Sequence, residues 1–138
     1  MYTSAKETTY KDVSLTAGAA GATSQTDLPT VYSDRGKPSV LNITIHSGES
    51  FQVELDAVSG TGYAWEVVYS SLRMLSVVSK SKRKLSNEGI SGPERTTFVL
   101  QSNKALSGNE SVSFLLRRYF DPPEKAIANV TCNVKITD

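Results

Sequence analysis

Apolar and polar residues alternate along most of the chain after residue 39, and this pattern constrains the fold more than any other feature. A period of two residues is typical of a β-strand with one buried face and one solvated face. The apolar members of these segments are Leu41, Ile43, Ile45, Phe51, Val53, Leu55, Tyr63, Trp65, Val67, Tyr69, Phe98, Leu100, Val112, Phe114, Leu116, Val130, Cys132, Val134 and Ile136. Turn residues separate the segments, and no convincing amphipathic helix is present. Six to eight short strands of this kind predict an all-β sandwich of about 100 residues.

The first 38 residues have a different composition. They are rich in Thr, Ser, Ala and Gly, with the run from Ala17 to Ala22 at their centre. They show no sustained apolar periodicity, so they cannot bury much surface. We therefore predict a flexible N-terminal extension, disordered or loosely docked, over residues 1–38 and a folded domain over residues 39–138. Within the extension, Val31 and Tyr32 are the candidates for local docking.

The charge balance argues against several classes of partner. The 138 residues include 15 basic and 14 acidic ones, which gives a net charge of +1. This balance gives no reason to expect binding to nucleic acid or to a membrane through bulk electrostatics. The lone Cys132 cannot form an internal disulfide. A cytoplasmic location is expected if Met1 is the native start, and a secreted or endolysosomal one if the chain is cut from a longer precursor.

Groups that could support catalysis are few. His46 is the only histidine, and strand alternation points it to solvent beside a turn. Cys132 shares a strand face with Val130 and Val134, which favours a buried structural thiol over a nucleophile. One Cys and one His are too few for a zinc site, and the acidic residues lack the spacing of a calcium loop. We predict that the chain is not an enzyme and uses no cofactor and no metal.

Two groups of charged residues are interpreted as solvated surface. Glu54 and Asp56 fall on one face of a predicted strand, where a solvated pair is the ordinary explanation. Residues 80–84, with the sequence Lys-Ser-Lys-Arg-Lys, could form a patch for an anionic surface. The alternating Ser and the neighbouring loop favour a solvated connection from Lys80 to Glu88 instead.

Three turn-rich segments interrupt the strands and are candidates for binding. Loop 1, residues 59–63, has the sequence Ser-Gly-Thr-Gly-Tyr and leads into the strand that carries Trp65. Loop 2, residues 89–92, is Gly-Ile-Ser-Gly, and loop 3, residues 118–120, is Arg-Tyr-Phe. Loops that are held on a rigid sandwich are common binding elements.

The order of these loops resembles that of the chagasin-type inhibitors of papain-like cysteine proteases. That family carries Asn-Pro-Thr-Thr-Gly-Tyr-x-Trp, Gly-x-Gly-Gly and Arg-Pro-Trp stretches, in this order, at one end of an immunoglobulin-like β-sandwich. The matching residues, within a resemblance over roughly residues 40 to 138, are Thr61, Gly62, Tyr63, Trp65, Gly89, Gly92 and Arg118. The departures are Val58, Ser59 and Gly60 in place of Asn-Pro-Thr, Ser91 in place of a glycine, and Tyr119 and Phe120 in place of Pro-Trp. An alternative alignment puts Arg117 and Tyr119 on the family's Arg and Trp.

The resemblance implies a reversible, tight-binding inhibitor that wedges three loops into the active-site cleft of a papain-like cysteine protease. The partner would be cathepsin L-like, and the inhibitor would act as a monomer. The implied protease-binding residues are Ser59, Gly60, Thr61, Gly62, Tyr63, Gly89, Ile90, Ser91, Gly92, Arg118, Tyr119 and Phe120. In this arrangement loop 1 covers the catalytic cysteine, Phe120 contacts the primed-side wall, and loop 2 pairs with the opposite wall. The alternative is an immunoglobulin-like adhesion or binding module with no protease target, which explains the strands equally well.

Overall fold

Eight β-strands account for most of the computed structural model, which describes residues 28–58, 60–69, 72–85 and 92–138. The strands are β1 (Thr30–Asp34), β2 (Val40–His46), β3 (Ser50–Val58), β4 (Tyr63–Val67), β5 (Leu75–Lys84), β6 (Pro93–Ser102), β7 (Gly108–Arg118) and β8 (Ala128–Thr137). A 3-10 turn lies at Pro123–Lys125. No helix among the described residues is long or apolar enough to cross a membrane. The predicted all-β, immunoglobulin-like sandwich of six to eight strands is confirmed.

The strands form two four-stranded sheets. Sheet A has the order β1-β3-β6-β5, and sheet B has the order β2-β8-β7-β4. The pairs β1–β3 and β2–β8 are parallel, and the other four pairs are antiparallel. Each parallel pair therefore joins two strands that are not consecutive in the chain.

The core lies between the sheets and is filled by the alternating apolar residues. Trp65 on β4 is fully buried, and its indole Nε1 donates a hydrogen bond to the backbone oxygen of Asp56 on β3 at 3.1 Å. This bond joins the edge of sheet B to sheet A. Phe98 on β6 and Phe114 on β7 also meet across the interface, with ring centroids 5.0 Å apart. Such tilted aromatic pairs stabilise a core beyond the apolar area that they bury.

The structure corrects the predicted domain boundary at residue 39. Strand β1 precedes that boundary and pairs with β3, and Val31 and Ser33 on β1 are buried. The Ser33 hydroxyl donates to the backbone oxygen of Pro38 at 2.8 Å, which fastens the corner between β1 and β2. The sandwich therefore includes part of the predicted extension, because parallel pairing satisfies the backbone even where only one large apolar side chain enters the core. Residues 1–27 of the predicted extension lie outside the described residues.

The basic run at residues 80–84 is also placed differently from the prediction. It is the second half of β5, an edge strand of sheet A, and not part of a solvated connection. All five residues are exposed, and the strand has a bulge between Val77 and Ser79. Edge strands tolerate charged side chains because one row of their backbone groups faces solvent.

Candidate functional site

The strand registers bring the ends of all three candidate loops to one end of the sandwich. Val58, the last residue of β3, pairs with Pro93, the first residue of β6, which follows loop 2. Tyr63, the first residue of β4, pairs with Arg118, the last residue of β7. Loop 1 therefore crosses from sheet A to sheet B, with the end of loop 2 beside its start and loop 3 beside its end. Ser59, Gly89, Ile90 and Ser91 lie outside the described residues, so the structure places Gly92 alone from loop 2.

Loop 1 is a tight turn that the side chain of Thr61 closes through hydrogen bonds. The Thr61 hydroxyl donates to the backbone oxygen of Val58 at 3.0 Å and accepts from the backbone N–H of Tyr63 at 3.3 Å. Gly60 and Gly62 have φ angles of 81° and 84°, which residues with a side chain rarely adopt. The glycines and Thr61 are exposed. The loop thus presents backbone at its surface in a bent, non-extended path.

Arg118 connects loop 3 to loop 1. Its guanidinium carbon lies 5.1 Å from the ring centroid of Tyr63 and 5.1 Å from that of Phe120. Its Nε donates to the Asp121 carboxylate at 3.1 Å, and the Asp121 N–H donates to the Arg118 carbonyl at 2.9 Å. A cation stacked between two rings in this way contributes roughly 0.5 to 1 kcal/mol per contact at an exposed site. Arg118 therefore holds the two loops in a fixed relation.

Two exposed aromatic rings stand at the tip of loop 3. Tyr119 is 88% exposed and Phe120 is 62% exposed, and the rings meet edge to face with centroids 5.2 Å apart. Large apolar groups that are exposed next to each other mark interaction surfaces more often than isolated ones do. This end of the sandwich therefore presents exposed aromatic rings beside exposed backbone.

Arg117 has a structural role that sequence reasoning missed. Its guanidinium donates to both carboxylate oxygens of Glu66 on β4 and to the backbone oxygens of Arg118 and Asp121. The side chain thus binds loop 3 to the outer face of sheet B. No local pattern in the sequence could reveal these contacts, because Glu66 lies on a different strand, far away along the chain.

A buried ion pair supports the base of loop 1, and it corrects the expectation that Glu54 and Asp56 form a solvated pair. The Asp56 carboxylate, 8% exposed, accepts from Arg95 Nε at 2.7 Å, Arg95 Nη2 at 3.0 Å and the Tyr32 hydroxyl at 2.5 Å. Burial, and then the bond to Asp56, raises the pKa of the Tyr32 phenol. Glu54 is partly buried and only 3.8 Å from Arg95, and burial raises the pKa of its carboxyl group.

The only thiol and the only imidazole lie apart. Cys132 is fully buried on β8, as its strand face predicted, and burial raises the pKa of its thiol to about 12. His46 is exposed, pairs with Thr137 and lies five strand positions from Leu41, the partner of Cys132. At a rise of about 3.3 Å per residue, the two groups are about 16 Å apart along the sheet. They cannot form a dyad, and no metal-binding cluster of His, Cys, Asp and Glu occurs among the residues that the structure describes.

Known proteins resemble this chain both in sequence and in structure. A family model for the chagasin family of peptidase inhibitors, I42, matches residues 44–134. The cysteine protease inhibitor EhICP2 from Entamoeba histolytica matches with a TM-score of 0.59 and 17% identity, over 78% of this chain and 95% of that one. Amebosin matches with a TM-score of 0.55 and 20% identity, over 78% and 96% of the two chains. PbICP-C, solved in complex with falcipain-2, matches with a TM-score of 0.51 and 16% identity, over 78% and 91%. At these identities the structural likeness shows a shared fold, and no curated protein matches by sequence.

Proposed function

The chain belongs to the chagasin family of peptidase inhibitors, and we propose that it is a reversible, tight-binding inhibitor of papain-like cysteine proteases that inserts loops 1 to 3 into the active-site cleft. Family membership identifies it as a protein that inhibits peptidases and not as an enzyme, in agreement with the sequence prediction. The solved complex of PbICP-C with falcipain-2 supports a papain-like protease as the partner.

The observation that carries the proposal is the link between loops 1 and 3. Arg118 stacks on Tyr63 of loop 1 and on Phe120 of loop 3, so these loops are already in place before a protease binds. Binding then orders few additional side chains, and less of the interaction free energy is lost to conformational entropy. A rigid pair of loops can therefore give high affinity over a modest contact area.

Loop 1 has the properties that covering a catalytic cysteine requires. Gly60 and Gly62 carry no side chain, so the backbone can approach the partner closely. Their positive φ angles give the loop a bent path, whereas a peptide that is cleaved must lie extended along the cleft. We therefore expect loop 1 to block the nucleophile without being cut. Loop 2 would contact the opposite wall through the backbone of residues 89–92.

The two aromatic residues of loop 3 would have different tasks. Phe120 stacks on Arg118, so it shapes the loop as well as contacting the protease. Tyr119, 88% exposed, has almost its whole side chain available for burial in the complex. Removing an aromatic anchor at the centre of an interface costs roughly 2 to 4 kcal/mol, or about 30-fold to 1000-fold in affinity. Tyr119→Ala should weaken inhibition and leave the melting temperature unchanged. Phe120→Ala should weaken inhibition and also lower the melting temperature.

The deciding experiment is a set of progress curves with active-site-titrated papain, cathepsin L and cathepsin B. We expect submicromolar inhibition of at least one of them, with cathepsin L-like enzymes most sensitive, and an intact monomeric inhibitor after incubation. Gly62→Glu should lose most of this inhibition, because a charged side chain would enter the interface at a residue with φ of 84°. If micromolar protein slows none of the three proteases, the adhesion or binding module becomes the better explanation.

A further inference from the structure

Strand β5 carries an exposed strip of positive charge that the proposed inhibitory loops do not use. The basic strip consists of Lys80, Lys82, Arg83 and Lys84, which are all exposed, in a protein whose net charge is only +1. In the part of the chain that the structure describes, Lys82 and Arg83 take part in no ion pair. Burial and then repulsion from Lys82 lower the pKa of Lys80, so neighbouring cations act on each other. Lys80, Lys82 and Lys84 lie on one face of β5 and Arg83 lies on the other. Glu66 partly offsets the charge of Lys80 and Glu54 attracts that of Arg83, so the strip carries an excess of positive charge.

The strip leads directly to the end of the sandwich where the three loops lie. Lys84 pairs with Glu94, and Glu94 pairs with Ala57, just before loop 1. Two strand spacings separate Lys84 from Ala57, which is about 10 Å. A standard interface buries about 800 Å² on each partner, a patch roughly 30 Å across. Arg83 and Lys84 thus fall at the rim of an interface centred on loop 1, and Lys80 lies about 13 Å farther along the strand.

We propose that the basic strip is a further contact surface of the inhibitor, and that it attracts an acidic flank of the protease beside the wall that loop 2 faces. This inference rests on the proposed function and adds the charge of the partner surface to it. Charges at the rim of an interface act mainly on the association rate, because attraction between distant charges guides the encounter. The strip would therefore favour proteases with an acidic rim over equally shaped proteases with a basic one.

Basic residues on an edge strand can also serve a second purpose. They prevent the open backbone of the edge from pairing with another copy of the chain. That explanation predicts self-association when the charges are removed, and no change in the rate of protease binding. The two explanations therefore differ in what they predict for the same variant.

The test compares two triple variants that each remove one arginine and two lysine charges. The strip variant is Lys82→Gln/Arg83→Gln/Lys84→Gln, and the matched control is Arg73→Gln/Lys104→Gln/Lys135→Gln, whose residues are exposed and lie away from the loop end. Stopped-flow measurements give the association and dissociation rates with one acidic and one basic papain-like protease, at low and high ionic strength. A single Arg83→Glu variant repeats the test with less change to the edge strand.

We expect the strip variant to associate at least tenfold more slowly with the acidic protease at low salt, with little change in dissociation. The difference should vanish near 1 M salt, where the Debye length is about 3 Å, and the control should behave as the unaltered protein. Equal association rates for strip variant and control would overturn the inference, and self-association of the strip variant alone would assign the charges to edge protection. Failure of the unaltered protein to inhibit any protease at either ionic strength would overturn the proposed function and this inference with it.

Discussion

Replacing Asp56 by Asn should destabilise the protein more than any other single isosteric change on the outer face of sheet A. The Asp56 carboxylate accepts three hydrogen bonds, two from Arg95 and one from Tyr32, and it is almost completely buried. Asn is nearly the same size, so the change removes charge and one acceptor without opening a cavity. The effect therefore measures the ion pair and its hydrogen bonds.

The expected loss in the free energy of unfolding follows from the Arg95 charge, which the substitution deprives of its main partner. Removing one partner of a buried ion pair costs roughly 3 to 5 kcal/mol, because the other charge stays buried without compensation. Arg95 keeps 23% of its side chain exposed and retains Glu54 at 3.8 Å, so its charge is only partly uncompensated. We expect a loss near the lower limit, about 3 kcal/mol. For a domain of this size, that loss lowers the melting temperature by on the order of 10 °C.

Glu54→Gln is the matched control, because Glu54 lies on the same strand and the same face. Burial raises the pKa of the Glu54 carboxyl group above its ordinary value. The folded protein therefore holds a proton there at pH values where the unfolded chain has lost it, and stability falls as the pH rises between the two pKa values. At neutral pH, Glu54→Gln should be neutral or slightly stabilising, and it should remove this part of the pH dependence.

Urea unfolding of both variants at pH 7, followed by circular dichroism, gives the two free energies, and repeating it from pH 4 to pH 7 tests the sign for Glu54. A second measurement is the titration of the Tyr32 phenol, because its pKa should fall when Asp56 is replaced. If Asp56→Asn costs under about 1 kcal/mol, the Asp56–Arg95 pair contributes no more than an exposed surface pair, and the reasoning fails.

Three further predictions concern separate parts of the fold. Deleting residues 1–38 should lower the free energy of unfolding by about 2 kcal/mol or more, because it removes β1 and the buried Val31. Urea unfolding measures this loss, and an unchanged stability would return the domain boundary to residue 39. Arg117→Lys should weaken inhibition about tenfold with a small change in melting temperature, because a lysine cannot reach Glu66 and two carbonyls together; an unchanged inhibition constant would mean that Arg117 does not position loop 3. The Cys132 thiol should react with Ellman's reagent only after unfolding, and Cys132→Ser should cost about 1 to 3 kcal/mol without affecting inhibition; fast reaction of the native protein would contradict its burial.

Sequence patterns predicted the parts of the fold that depend on neighbouring residues. The alternation around Ile43, Val53 and Val134 gave the strands and their buried faces, because period two is a local property. The alternating Ser and the neighbouring loop predict a solvated connection for the basic run, yet an edge strand also accepts such charges. Strand β1 was missed because Val31 is its only buried large apolar residue.

The contacts that shape the candidate site could not be predicted in the same way. Asp56 is buried because Arg95 arrives beside it from β6, and nothing near Asp56 in the sequence signals that partner. Arg117 and Glu66 meet for the same reason, through the pairing of β4 with β7. The family resemblance supplied the positions of the loops, but the roles of Arg117 and Arg118 required the registers of the strands.

The parallel pairing of β2 with β8 affects how the protein can be made. Strand β2 occupies the edge of sheet B, and its hydrogen-bonded partner is the last strand among the described residues, Ala128–Thr137. During synthesis, the backbone of β2 therefore stays unpaired until the other described strands have left the ribosome. Folds that depend on such distant contacts form slowly and expose strand edges meanwhile. A ribosome that stalls before residue 128 would release a chain lacking one of the two inner strands of sheet B, and we expect that nascent product to aggregate or to be degraded.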